Sequence, residues 1–156
     1  MDYQPFQAEK HLDALLILYH RAIRGLDDGL YDARQRQAWA AWGKEPGRAT
    51  TLLARGITLV AVRNDQLLGF GQLWPADQIN MLYVDPAAGR RGLGSDLIRQ
   101  LEQHAVAQQV PLLFTRASRA SQPVFRRAGF EVVAEEWVNA RGVSLPRVRM
   151  VKRLTR

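Results

Sequence analysis

The chain has 156 residues, 22 Lys and Arg against 15 Asp and Glu for a net charge of +7, and no cysteine. That length suits one domain, 1–156, with a real core. The missing thiols exclude disulfides, thiolate metal sites and a cysteine nucleophile, and no apolar run approaches the ~20 residues of a membrane span. With no basic and apolar leader at its start, the expected location is cytoplasmic. Nearly all of the positive charge is arginine, whose forked donors suit phosphate. Those arginines run from Arg21 to Arg156 instead of forming one basic, aromatic-rich tract, which argues against nucleic acid as a partner.

In chain order, residues 2 to 7 suit a short first strand. Ala8 to Ile23 carries Leu12, Leu15, Leu16, Leu18 and Tyr19 at helical spacing and ends at Gly25 and the Asp27-Asp28-Gly29 cluster. A second helix is expected from Asp32, whose carboxylate can cap Ala33 to Gln35; it carries Ala38, Trp39 and Trp42 and closes at Gly43 and Pro46. Arg48 to Leu53 suits a short third helix. The period then changes. Ile57 to Val62 and Leu67 to Trp74 read as a hairpin about Asn64-Asp65, and Pro75-Ala76-Asp77 turns into the next strand.

Residues 78 to 98, QINMLYVDPAAGRRGLGSDLI, organise the rest. An apolar run from Ile79 to Val84 stops at Asp85-Pro86, a glycine-bearing basic segment follows, and Leu93, Leu97 and Leu101 then take helical spacing. Gly89, Gly92 and Gly94 let backbone amides turn inward, Arg90 and Arg91 add charge, and a helix N-terminus stands behind them, which together make a phosphate cradle. Two better-known phosphate loops do not fit. Gly94-Ser95-Asp96 lacks the lysine of the NTPase loop, and Leu97 stands where the dinucleotide fingerprint has its third glycine.

Further on, Pro111 to Thr115 is a short strand parallel to the central one. Ala117 to Phe130 contains a helix with Pro123 in its first turn and Gly129 at its end. Glu131 to Val138 and Val143 to Leu154 alternate as a closing hairpin about Arg141-Gly142. Met81 and Phe114 read as core. His11, His20 and His104 show no metal-ligand spacing, so no metal is expected.

The GxxGxG at 89–94, entered from Leu82-Tyr83-Val84-Asp85-Pro86, resembles the acetyl-CoA loop of the GNAT N-acetyltransferase family, usually written Gln/Arg-x-x-Gly-x-Gly/Ala after a leucine-x-valine strand. Gly89 stands where Gln or Arg is usual. The order of elements resembles the family over most of the chain, and Tyr31, Gln35, Ala38-Trp39 and Ala117-Ser118 look like a small single-domain bacterial subgroup. The resemblance implies an α/β fold, α+β in its mixed sheet, with a splayed, mostly antiparallel centre and flanking helices. It also implies acetyl-CoA as cosubstrate and direct transfer of its acetyl group, in a ternary complex, to a primary amine of a small molecule or protein. A homodimer would be in keeping with such families.

By that resemblance the backbone of Leu82, Tyr83 and Val84 faces the pantetheine and thioester, and the segment Gly89, Arg90, Arg91, Gly92, Leu93, Gly94 and Ser95 takes the pyrophosphate. Much of the family carries a proton-donating Tyr four residues before the Gly-Phe pair; this chain has Phe125, which cannot donate. Ser118 replaces a cofactor-binding Asn seven residues earlier. Ser118, Tyr83 and solvent are the candidate acids for the leaving thiolate, and Asp77 the candidate base, with Glu135 and Glu136 behind it. Tyr31, Trp39, Trp42 and Asn80 are the candidate acceptor contacts, core packing being the other role for the tryptophans. Two rival readings are a non-catalytic acyl-CoA-binding module, motivated by Phe125, and a basic nucleic-acid-binding protein.

Overall fold

The structure, a computed structural model, describes residues 1–27, 29–88 and 92–154. Among these residues seven strands form one sheet: β1 (Asp2–Pro5), β2 (Ile57–Arg63), β3 (Gln66–Leu73), β4 (Gln78–Val84), β5 (Leu112–Ser118), β6 (Glu131–Ala140) and β7 (Val143–Arg153). Their order is β1-β2-β3-β4-β5-β7-β6, antiparallel throughout except for the β4/β5 pair. Helices α1 (Ala8–Arg24), α2 (Ala33–Ala40) and α3 (Pro46–Leu53) precede β2; α4 (Leu93–Ala107) crosses from β4 to β5, and α5 (Gln122–Arg127) leads into β6.

Local chemistry accounts for the helix starts. The Asp32 Oδ1 accepts from the Gln35 amide at 2.8 Å while Gln35 Oε1 accepts from the Asp32 amide at 2.9 Å, a reciprocal cap that satisfies two donors left over at the start of α2. Asp32→Ala is expected to cost about 1 kcal/mol, seen as a fall in Tm of ~2–4 °C for a chain of this size. At α1 a histidine does related work: His11 Nδ1 accepts from the Gln7 amide at 3.0 Å. In α1, Leu15, Leu18, Tyr19 and Ile23 recur every three or four residues and are all buried, so one stripe of the helix faces the sheet. The hairpin turns fit their residues as well. Asn64 and Asp65 take φ of 50° and 63°, and Arg141 and Gly142 take 49° and 79°, the left-handed pair that matches the twist of a two-residue hairpin.

Helices cover both faces of the sheet. On one side α1 to α3 enclose Leu15, Leu18, Ile23, Val60 and Phe70. On the other, α4 and α5 enclose Leu73, Ile79, Leu101, Phe125 and Met150. The approach of α4 depends on glycine in β3. A Cβ on Gly71 would stand 2.9 Å from Leu101 Cδ1 and 3.2 Å from the Met81 carbonyl, and one on Gly69 would stand 3.0 Å from Leu97 Cδ1. In β4 one residue is extra: Leu73 pairs with Ile79 and Gln72 with Met81, so Asn80 is bulged out of the ladder. Ile79 and Leu82 consequently pack toward α4, while Met81 and Tyr83 pack toward α1.

Four expectations need correction. Phe114, read as core, is 37 % exposed, because it alternates with the buried Leu113 and Thr115 and so faces away from the α4 side. The strand expected to stop at Thr115 runs to Ser118, its ladder continued by β7. Pro46 does not merely close α2 but opens α3, where its missing N–H costs nothing. Trp42 lies past the end of α2, in a 3-10 turn over 41–44.

Candidate functional site

The β4/β5 ladder holds for only two residue pairs, Gln78 with Phe114 and Ile79 with Thr115. The Phe114 amide donates to the Asp77 carbonyl at 2.8 Å, and the buried Thr115 hydroxyl donates to the Ile79 carbonyl at 2.9 Å, closing the fork. Past it the strands part. β4 stays with β3 as far as Val84 opposite Gly69, β5 stays with β7 as far as Ser118 opposite Arg147, and the Asn80 bulge comes directly after the last shared pair. Backbone groups of residues 80–84 that face β5 therefore have no ladder partner there, and buried peptide groups require one. A polar ligand in the gap meets that need.

At the gap, between the α4 N-terminus and α5 and reaching Ala22 and Leu26 at the end of α1, lies a cleft of about 690 Å³. Leu82 and Val84 form one wall, Ser118, Ser121, Val124 and Arg127 another, and the segment 92–95 its end. Gly92 has φ of 79°, which turns the chain sharply into α4. The helix ladder starts with the Asp96 amide on the Gly92 carbonyl at 2.9 Å, so the amides of Leu93, Gly94 and Ser95 stand ahead of it, at the positive end of a 15-residue helix. A Cβ on Gly94 would lie 3.3 Å from Val124 Cγ2, so glycine keeps this end of the cleft open. Asp85 anchors the near side: it is buried, pairs with Arg21 at 3.1 Å and accepts from the Ala87 amide at 2.9 Å. Open amides at a helix N-terminus, a narrow apolar slot and unpaired strand edge suit a diphosphate with a long amide-bearing arm. Gly89, Arg90 and Arg91 lie outside the described residues.

Sequence reasoning found Leu82, Val84, Gly92 to Ser95 and Ser118 on this cleft but missed Ala22 and Leu26 at the end of α1 and, around α5, Ala120, Ser121, Pro123, Val124 and Arg127. For the α5 group the signal was available, since a helix starting near Pro123 would present residues beside that of the glycine loop. Ser118 turns inward: its Oγ accepts from the Ser121 amide at 3.0 Å and bonds the Ser121 hydroxyl at 3.1 Å, which fixes the turn into α5. Phe125 is buried, packs edge-on against Phe130 at 5.2 Å, and borders the gap.

On the other side of the gap stand Trp39, Asn80 and Tyr83. Trp39 Nε1 donates to the Tyr83 hydroxyl at 3.1 Å, and the Tyr19 hydroxyl donates to the Trp39 carbonyl at 2.7 Å. Burial pushes the Tyr83 hydroxyl up to about 12, against the opposing pull of the Trp39 and Tyr19 donors, and burial raises Tyr19 as well. Asn80 donates to Gln72 Oε1 at 2.9 Å. Three candidates are not brought here. Tyr31 is 1 % exposed, donates to the Pro146 carbonyl at 2.8 Å and accepts from the Arg119 amide at 2.9 Å, so it braces the α1–α2 connection against the far strands. Trp42 packs edge-on against Tyr19 at 4.8 Å. Asp77 is exposed in the β3–β4 turn, at the closed end of the fork. Among the described residues no three His, Cys, Asp or Glu side chains gather as a metal site, and no helix is long and apolar enough to cross a membrane.

Residues 43–154 match the family model described as Acetyltransferase (GNAT) domain. The N-acetyltransferase YafP of Escherichia coli K12 is 31 % identical over 141 residues, covering 90 % of this chain and 86 % of that protein. The crystal structure of a GCN5-related N-acetyltransferase from Rhodopseudomonas palustris superposes with a TM-score of 0.94 at 27 % identity, covering 98 % of this chain and 95 % of that one. That of the PaiA N-acetyltransferase from Thermoplasma acidophilum, in complex with coenzyme A, gives 0.78 at 14 % identity, with 98 % and 99 % covered, a likeness of fold.

Proposed function

The chain belongs to the GNAT acetyltransferase family, and on that premise we propose that it moves the acetyl group of acetyl-CoA directly to a primary amine within a ternary complex. The observation that carries this reading is the two-pair β4/β5 ladder, which opens beside the α4 N-terminus. The coenzyme A in the Thermoplasma structure supports the choice of cosubstrate. When bound, acetyl-CoA supplies an activated thioester.

The chain's own groups then have separate tasks. The amides of Leu93, Gly94 and Ser95 take the pyrophosphate, and Arg90 and Arg91, by the family resemblance, add charge to it. Leu82, Val84 and Phe125 supply apolar contact for the arm, and free β4 amides stabilise negative charge as it develops on the carbonyl oxygen. Trp39 and Asn80 border the side from which the amine enters. Holding both reactants in line lowers the barrier by turning a bimolecular step into an effectively unimolecular one.

The reaction forms a C–N bond, breaks the C–S bond and leaves one N–H proton to be moved to sulfur. Tyr83 is badly suited to supply that proton. Burial raises its hydroxyl above an ordinary phenol, itself less acidic than a thiol, so transfer to the thiolate is uphill. The proton shed by the attacking nitrogen is far more acidic and serves through solvent, with the Ser118 hydroxyl beside the path. Accordingly Tyr83→Phe should keep kcat within about threefold and retain the basic limb of the pH profile. A tenfold fall together with loss of that limb would give the acid role to Tyr83.

The direct test is release of free thiol from acetyl-CoA with a broad amine panel, run beside thermal shift. Stabilisation by acetyl-CoA with amine-dependent release supports the transferase. Stabilisation without release, from any amine, favours the non-catalytic binding module suggested by Phe125.

A further inference from the structure

The sheet face toward α1 and α2 carries a cluster of charge beside the gap. Arg116 on β5 stands directly across from Arg149 on β7, and Arg147 on β7 directly across from Glu136 on β6. Partners across a ladder share a face, and residues two apart return to it, so the four side chains project together. Their neighbours Ala117, Val148 and Met150 are buried among residues of α4 and α5. The cluster therefore faces the other way, to the side of α1 and α2. Arg116 also borders the gap itself, next to Asn80 and Ser118.

The charges do not balance. Glu136 Oε1 is 3.7 Å from Arg116 Nε and its Oε2 is 3.3 Å from Arg147 Nη2, while Arg149 has no acidic partner among the described residues. Three guanidiniums against one carboxylate leave two positive charges in excess, and arginines directly opposite each other repel. Two polar atoms of the cluster, Arg147 Nε and Glu136 Oε1, are buried without a hydrogen-bond partner. Such a donor and such an acceptor, side by side, destabilise the free protein and are relieved by a ligand that offers an anion and an N–H together.

From this we infer that the acceptor is a small amine that carries an anionic group, a carboxylate or a phosphate. Arg116, Arg147 and Arg149 hold the anion, and Glu136 Oε1 orients the nitrogen end toward the gap. The inference rests on the transferase reading and narrows it. Polyamines and other polycations are excluded by the same charge that attracts the anion.

The test compares kcat/KM for thiol release, at saturating acetyl-CoA, among free amino acids, their amides, O-phosphoethanolamine and spermidine. Anionic amines should exceed matched amides at least tenfold; phosphoethanolamine ahead of every amino acid assigns phosphate, and the reverse assigns carboxylate. In Arg149→Gln, an exposed position that should fold normally, and in Arg147→Gln, the acid-to-amide ratio should collapse toward one through KM, with the rise in Tm on adding acetyl-CoA retained. Amides or spermidine turned over as well as the acids, or a ratio that survives both substitutions, would overturn the inference and leave the transferase standing. Acetyl-CoA failing to stabilise the protein, or no thiol released with any amine, would overturn both.

Discussion

Gly94→Val should weaken acetyl-CoA binding at least ~tenfold, about 1.4 kcal/mol, while leaving the fold intact. A Cβ there already approaches Val124 Cγ2 to 3.3 Å, and the two methyl groups beyond it have only the cleft to enter. Stability should hardly change, because valine replaces glycine within a helix and the gain in helix propensity offsets the crowding. The two readouts therefore separate. Calorimetric titration should show lost affinity, and the melting curve without ligand should stay within a few degrees of the parent. Undiminished affinity would move the diphosphate away from the start of α4, and the proposed assignment of Leu93 to Ser95 with it.

Gly71→Val should have the opposite signature. Its Cβ would fall 2.9 Å from Leu101 Cδ1 and 3.2 Å from the Met81 carbonyl, one of them a backbone atom in the middle of the sheet. Relief requires α4 to lift from β3, and overpacking of this kind costs about 1–3 kcal/mol or more. For a chain of this length that corresponds to a fall in Tm of roughly 3–10 °C. Denaturant melts would check it, and the activity remaining at low temperature reports whether lifting α4 also widens the cleft. A variant as stable as the parent would mean that the Leu101 rotamer gives way at little cost.

Much of this architecture was legible because its signals are local. Asp32 ahead of Ala33 to Gln35 announces a helix cap, Asn64-Asp65 between two apolar runs announces a tight hairpin, and the glycines after Asp85-Pro86 announce a turn into a helix whose amides stay free. The fork itself was not legible from the residues. Whether β5 follows β4 for two pairs or six depends on how strongly β7 draws it away, a competition between strands far apart in sequence, and only the family resemblance anticipated it. Tyr31 shows the same limit. An aromatic residue after a polar loop reads alike whether it lines a pocket or is sealed inside. What seals this one is the Pro146 carbonyl, 115 residues away, and the Arg119 amide, 88 residues away. Likewise Arg116, Arg147 and Arg149 look like ordinary outward positions of alternating strands until the register sets them side by side.

The spare residue in β4 has a further meaning for how such a chain can change. Upstream of Asn80 the strand keeps one parity and downstream the other, so a single amino acid decides which way Leu82, Tyr83 and Val84 look. Loops at either end can lengthen or shorten while the core stays in place. Loss of one codon at Asn80 would instead turn the downstream half over, sending a phenol into the slot and two aliphatic walls out of it. That position is a point at which drift in length is forbidden even where drift in side chain is not.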